Sequence, residues 1–105
     1  MKEEKGDDMS VAIIEGKTIE KEKDVYVQVA SQIDFGVGYG YNYHAFLDRL
    51  GYDLERPIHI VWKDHAVSKD VLGRDFDRLV ALMEQIKRDD ERFCPEGERF
   101  TFSLE

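Results

Sequence analysis

The sequence predicts an α/β fold, a compact single domain in which a three-stranded parallel sheet packs with helices. Three observations predict it. The 105 residues have the size of one domain. Short apolar runs that are typical of buried strands alternate with segments whose apolar residues recur at helical spacing. Strands separated by helices need crossover connections, which join parallel neighbours.

The first part of the chain combines a charged tail, a strand and a helix. Residues 1–9 offer almost nothing to bury, so we expect a flexible tail ahead of a domain over residues 10–105. Residues 11–15 form an apolar run typical of a buried strand. Asp24 is a candidate N-cap for a helix over residues 25–33. A strand remains the alternative for that segment, because its valines also alternate: Val25, Val27 and Val29.

A glycine-rich loop and a second helix follow. The loop, residues 36–40 (GVGYG), lacks the third glycine of a dinucleotide fingerprint and is not followed by the GK[ST] of a P-loop. A structural turn that allows close approach is therefore favoured. One apolar helical face comes next: Tyr43, Phe46, Leu47 and Leu50. We expect Asn42 to cap this helix and Gly51 to end it.

The last part of the chain supplies two strands and the clearest helix. The predicted elements, in order, are a strand over 57–62, a weakly patterned helix over 64–72, an amphipathic helix over 76–86 and a closing strand over 99–104. Asp75 is the expected N-cap of the amphipathic helix. Residues 89–98 are expected to be a polar connection. His59 is expected on a sheet face and Trp62 in the core.

The charge indicates which partners to expect. Fifteen Lys and Arg against 23 Asp and Glu give a net charge of −8. This charge repels a phosphate backbone, so no nucleic-acid binding is expected, and it attracts a basic protein partner. Solubility alone is the alternative interpretation of the charge.

Other features argue against membranes, metals and cofactors. No stretch approaches the roughly 18 apolar residues of a membrane span, and no signal segment opens the chain. Cys94 has no second cysteine with which to form an internal disulfide, which indicates a reducing, cytoplasmic compartment. The histidines lack zinc-site spacing, so no metal and no cofactor is expected. We expect a monomer when the protein is free.

His44 and Asp48 lie four residues apart, and therefore on one face of the second helix. They could act as a catalytic base and its orienting carboxylate, but no nucleophile or oxyanion donor is placed beside them by the sequence. A solvated ion pair is the second interpretation. The third is a docking surface formed with the loops at 36–41 and 51–56. Residues 34–55 support it with four acids against one base, namely Asp34, Asp48, Asp53 and Glu55 against Arg49.

The segment Tyr39-Gly40-x-Asn42-x-x-Ala45-Phe46-x-Asp48-x-Leu50 resembles the barstar-like ribonuclease inhibitors. The similarity runs over residues 10–88, with the last strand aligned after a longer loop. It implies three parallel strands and a protein that is not an enzyme. The implied function is that of a cytoplasmic inhibitor, which blocks the active site of a secreted guanyl-type ribonuclease with an acidic helix and loop. In this family, the position that matches Asp48 supplies the carboxylate that enters the active site.

The resemblance and the docking-surface interpretation together define a set of partner-binding candidates. They are Asp48, Asn42, His44, Leu47, Gly38, Tyr39, Gly51, Tyr52, Glu55, Gln85 and Asp89. This chain departs from the family pattern at four of them. His44 and Gln85 replace acids, Leu47 replaces a tryptophan and Gly38 replaces a tyrosine. An immunity or adaptor protein of the same fold, with a different basic toxin or partner, therefore remains the alternative.

Overall fold

Seven regular elements make up the domain in a computed structural model that describes residues 9–105. The strands are β1 (Ser10–Glu15), β2 (Ile58–Lys63) and β3 (Phe100–Leu104). The helices are α1 (Glu22–Gln32), α2 (Tyr43–Asp48), α3 (His65–Leu72) and α4 (Arg74–Phe93). Of the predicted charged tail, only Met9 lies within the described residues.

The three strands form one sheet in the order β1-β2-β3, and both strand pairs are parallel. In this register Ile14 pairs with Trp62, and Trp62 pairs with Leu104 on its other side. The predicted fold class, a compact single domain with a parallel sheet and helices, is confirmed.

The core lies on one face of the sheet. Side chains at alternate positions of the strands are fully buried there: Ala12, Ile14, Ile58, Ile60, Trp62 and Phe100. They pack with the apolar faces of the helices, which contribute Val29, Phe46 and Leu79 among others. Residues at the intervening positions, such as His59 and Thr101, are only half-buried. His59 is therefore a sheet-face residue and Trp62 a core residue, as predicted.

Helix α1 protects the exposed edge of β1. The side chain of Gln32 accepts a hydrogen bond from the Ile13 N–H and donates one to the Ile13 carbonyl, both at 2.8 Å. Gln28 accepts from the Glu15 N–H at 2.8 Å. An unpaired strand edge invites pairing with another chain, and these amides occupy part of it. The segment is a helix and not the alternative strand.

Two of the predicted caps are wrong, by three residues and by two residues. Helix α1 begins after Lys21, so Asp24 lies within its first turn, where its carboxylate accepts the N–H groups of Glu20 and Lys21 at 2.9 and 3.2 Å. Helix α4 begins after Gly73, which has a φ of 59°, and Asp75 lies in its first turn. In both helices the acid still interacts with the free N–H groups or the positive end of the dipole.

Two predicted ends are also wrong. Gly51 does not end α2, because the chain continues through one π-helical turn, Arg49–Asp53. The N–H of Leu54, just after this turn, donates to the Arg49 carbonyl at 3.0 Å. Helix α4 extends to Phe93, into the predicted polar connection. It can do so because Asp90, although polar, is buried and finds partners inside the protein.

A buried polar chain joins α3 to the sheet. The indole N–H of Trp62 donates to the Ser68 hydroxyl at 2.9 Å, and that hydroxyl donates to the Gly16 carbonyl at 2.9 Å. A Cβ at Gly16 would overlap the backbone of Lys63 and Asp64. A glycine is therefore required where the chain leaves β1, because only this close approach brings its carbonyl to Ser68.

Candidate partner-binding site

Helix α2 is short and is fixed at its start. The Asn42 side chain accepts a hydrogen bond from the Ala45 N–H at 2.8 Å, which confirms the predicted N-cap. Phe46 and Leu50 are buried beneath the helix. The opposite face of α2 carries His44 and Asp48, and both are exposed.

Asp48 carries an exposed carboxylate. Its side chain makes no hydrogen bond and no salt bridge with any residue in the range 9–105. An exposed, unpaired carboxylate can accept hydrogen bonds from a basic side chain without first losing an internal partner. The geometry therefore leaves Asp48 available to a ligand or a protein.

His44 and Asp48 do not form an ion pair. Within the described part of the chain, their side chains have no contact within the 4.0 Å of a salt bridge. The His44 ring instead stands edge-on to Tyr43, with 5.7 Å between the ring centroids. The described residues also contain no group of three metal-ligating side chains. The geometry thus assembles neither the catalytic pair nor the solvated ion pair that the sequence left open.

Two features bind α2 to the rest of the domain at its N-terminal end. The Arg78 guanidinium of α4 lies over the ring of Tyr43, with 4.2 Å to its centroid, a cation–π contact. Arg78 also pairs with Glu22 of α1 at 2.9 Å. Tyr26 donates to the same carboxylate, and burial followed by this hydrogen bond raises the pKa of Tyr26 above its usual range. The helix that carries Asp48 is therefore held by both α1 and α4.

The glycine-rich loop has a defined conformation. The Asp34 carboxylate accepts the Gly36 N–H at 2.8 Å, and Gly36 and Gly38 have φ values of 86° and 80°. L-residues rarely adopt such angles, so the turn favours glycine at both positions. Phe35 is buried on one side of the loop apex, while Val37 at the apex is 98 % exposed.

Arg49 fastens this loop to α2. Its guanidinium donates to the Phe35 carbonyl and, at 3.2 Å, to the Val37 carbonyl. A Cβ at Gly36 would lie 2.8 Å from the same guanidinium, so the missing side chain makes room for it. Arg49 also pairs with Asp53 at 3.8 Å. The sequence counted Arg49 only as a positive charge, whereas in the structure it organises the loop.

Tyr39 supports the loop from within. It is only 8 % exposed and packs against Phe35 and Tyr41 at ring-centroid distances of 4.8 and 4.7 Å. Its hydroxyl is buried and has no hydrogen-bond partner among the described residues. Burial is the main reason why the pKa of Tyr39 lies well above its usual value. Tyr39 therefore has little surface to offer a partner, unlike the exposed Gly38.

Beside α2, five of the predicted residues line one groove. It has a volume of about 590 Å³ and lies between the π-helical turn and the C-terminal part of α4. Its predicted members are Leu47, Gly51, Tyr52, Gln85 and Asp89. Gln85 donates to Asp89 at 2.9 Å, and Tyr52 is 76 % exposed at the rim. The sequence did not single out Phe93 and Cys94, which also line the groove.

A buried ion pair holds the floor of this groove. Arg56 contacts the Asp90 carboxylate at 2.6 Å and donates to the carbonyls of Gly51 and Leu54 at 3.3 and 3.0 Å. Asp90 accepts, in addition, the Phe100 N–H at 2.7 Å. One pair thus joins the π-helical turn, α4 and β3. Neither residue was predicted, because a lone Arg and an acid in a polar run look like surface charges in a sequence.

Glu55 lies away from this groove. It lines a second, shallower depression of about 320 Å³, together with Asp34, Asp53 and Leu54 among others. The four acids of residues 34–55 are therefore divided, since neither depression is lined by Asp48. The predicted candidates form a surface around α2 with Asp48 exposed on the helix, and Glu55 belongs to a separate part of it.

These features describe a small α/β protein with an exposed acid on a helix that is held by contacts with α1 and α4. The chain belongs to the barstar family: residues 9–105 match the family described as Barstar (barnase inhibitor). Members of this family are inhibitors rather than enzymes, and they bind barnase-type ribonucleases. No curated protein that was compared with the chain matches it. No helix within residues 9–105 combines the length and apolar character needed to cross a bilayer.

Proposed function

We propose that this protein inhibits a guanyl-type, secreted ribonuclease in the cytoplasm of its producer, and that Asp48 enters the active site of the enzyme. The observation that carries the proposal is the exposed Asp48 carboxylate, which pairs with no residue in the range 9–105 and lies on a helix that is capped by Asn42 and contacted by Arg78. A ribonuclease active site is built to bind phosphate. A carboxylate can occupy such a basic pocket through charge-assisted hydrogen bonds.

The rest of the surface supports the same proposal. Because α2 and its loop are already ordered, binding would lose little conformational entropy, which favours affinity. The net charge of −8 would steer a basic enzyme towards the protein. His44 lies on the same exposed face of α2 as Asp48, and the groove beside that helix contains Leu47, Gln85 and Asp89. These four residues would determine which enzyme fits. Gly38 and Gly51 allow close backbone approach, and Tyr52 would contact the enzyme at the rim.

Replacement of Asp48 tests the proposal. Asp48→Ala is expected to weaken 1:1 inhibition by about 2 kcal/mol or more, roughly 30-fold, as truncation of a central charged anchor does. The measurement is a titration of RNA cleavage by barnase, and by each small basic ribonuclease of the source genome. Calorimetry gives the stoichiometry.

Glu55→Ala is the matched control, because it removes an equal charge from the separate depression. It is expected to cost less than about 1 kcal/mol, as exposed charges at the rim of an interface do. Both variants should keep the wild-type denaturation midpoint, since Asp48 and Glu55 are exposed. Equal losses from the two variants would contradict a central role for Asp48. The absence of inhibition by wild-type protein would reject the function itself.

A further inference from the structure

Val37 is an aliphatic residue displayed in full. Its 98 % exposure exceeds that of every other large apolar side chain described in the structure, including Phe93 at 77 % and Val71 at 52 %. A single exposed apolar residue is ordinary on a protein surface. Val37 differs because the backbone that carries it is ordered by hydrogen bonds.

The backbone at Val37 is fixed from three directions. Its carbonyl accepts a hydrogen bond from Arg49, and the carbonyl of Phe35, two residues earlier, accepts a second one from the same guanidinium. Asp34 accepts the N–H of Gly36. On either side of the apex, the rings of Phe35 and Tyr39 are buried and pack against each other. The loop therefore presents a β-branched side chain, which has few rotamers, on an ordered backbone.

The same support connects Val37 to the proposed inhibitory acid. Arg49 follows Asp48 directly in the chain and bonds to the Val37 carbonyl at 3.2 Å. The apex of the loop and the C-terminal end of α2 are thus joined by one side chain. An enzyme that binds the exposed Asp48 carboxylate would meet the Val37 side chain close by.

We infer that Val37 is a specificity-determining anchor of this interface, and that it inserts into an apolar depression beside the phosphate-binding site of the target ribonuclease. This inference rests on the proposed function. A preordered aliphatic group gains affinity by burying apolar surface and loses little entropy in doing so. Asp48 would pair with the basic groups of any ribonuclease active site. Val37 would favour those enzymes that have an apolar depression close enough to the active site for both side chains to bind at once.

Two substitutions at Val37 test the inference with the ribonuclease that wild-type protein inhibits, starting from barnase. Val37→Ser is expected to weaken binding about tenfold or more, the loss that follows from exposing a buried valine side chain. Val37→Thr keeps the branched shape and replaces one methyl group by a hydroxyl, so it should weaken binding by a smaller factor. The loss is expected in the dissociation rate, measured by surface plasmon resonance, with an unchanged salt dependence of association.

Val71→Ser is the matched control, because Val71 is exposed on α3, away from the loop. It should leave binding unchanged. The midpoint of urea denaturation should be the same for wild type and both Val37 variants, since Val37 is almost fully exposed in the free protein. If Asp48→Ala abolishes inhibition while Val37→Ser binds as wild type does, the inference is wrong and the proposed function stands. If wild-type protein inhibits no ribonuclease tested, both are rejected.

Discussion

Asp48 and Tyr39 lie nine positions apart and have opposite environments. Among the described residues, the exposed Asp48 carboxylate has no partner, and the buried Tyr39 hydroxyl finds none in the core. An unpaired charge in water costs little, but an unsatisfied buried hydroxyl costs about 1–3 kcal/mol. The Tyr39 ring therefore stabilises the loop by packing, whereas its hydroxyl destabilises the free protein.

Tyr39→Phe is expected to stabilise the protein by about 1 kcal/mol at pH 7, because it removes the unsatisfied hydroxyl and keeps the ring. It should also reduce alkaline sensitivity. The pKa of Tyr39 is raised above 10.0 in the folded state, so its contribution is complete below pH 10 and falls as pH rises further and the unfolded tyrosine ionises. One such group changes the slope by about 1.4 kcal/mol per pH unit.

Urea denaturation between pH 7 and pH 11 measures both effects. Wild-type protein should lose stability above pH 10 more steeply than Tyr39→Phe, while lysine titration contributes equally to the two proteins. Identical slopes would show that the Tyr39 hydroxyl is no more buried than in the unfolded chain.

At the scale of elements, two arginines determine how the surface is built. Arg49 attaches the glycine-rich loop to α2, and Arg56 attaches the π-helical turn to α4 and β3. In both cases a guanidinium donates to backbone carbonyls. For Arg56 these carbonyls are partly buried, where an unpaired carbonyl would be costly. The chain after α2 can form a π-helical turn because Arg56 donates hydrogen bonds to the carbonyls of Gly51 and Leu54.

Asp90→Ala is expected to destabilise the fold by about 3–5 kcal/mol, because it leaves the Arg56 guanidinium and the Phe100 N–H buried without their acceptor. Glu91→Ala, one residue along, is the control. Glu91 pairs with Lys87 at 3.3 Å in an exposed position, so its loss should cost below about 1 kcal/mol. Chemical denaturation monitored by Trp62 fluorescence compares them. Similar losses would mean that the Arg56–Asp90 pair is no stronger than a surface pair.

At the scale of the whole molecule, the net charge determines how the protein attracts a partner. The charge of −8 produces a field that reaches beyond any single contact, and the family binds ribonucleases, whose substrate is an anion. Exposed or half-buried acids lie on α2 and in the two depressions beside it, and exposed ones also lie on α3 and α4, where Asp70 and Asp77 are examples. Long-range attraction therefore does not depend on any one of them.

Association with the target ribonuclease is expected to slow about tenfold or more between low salt and 0.5 M salt, because the attraction is screened within a Debye length of roughly 4–10 Å. The dissociation rate should change much less, since it reports the contacts at short range. Stopped-flow fluorescence at several salt concentrations measures both rates. An association rate that does not respond to salt would contradict electrostatic steering.

The sequence by itself determined the order and type of the strands and α-helices, the capping of α2 by Asn42, and the placing of Asp48 and His44 on one face of that helix. These features follow from local periodicity, because apolar spacing of two or of three to four residues decides which side of an element is buried. The predicted core position of Trp62 follows in the same way.

Only the tertiary structure decided how the surface around α2 is assembled. Arg49 meets Phe35 across 14 residues of chain, Arg56 meets Asp90 across 34, and Gln32 meets Ile13 across 19. No local sequence pattern predicts such contacts, because each depends on how the fold brings distant segments together. For the same reason the burial of Tyr39 and the complete exposure of Val37 became visible only when the loop was closed against α2.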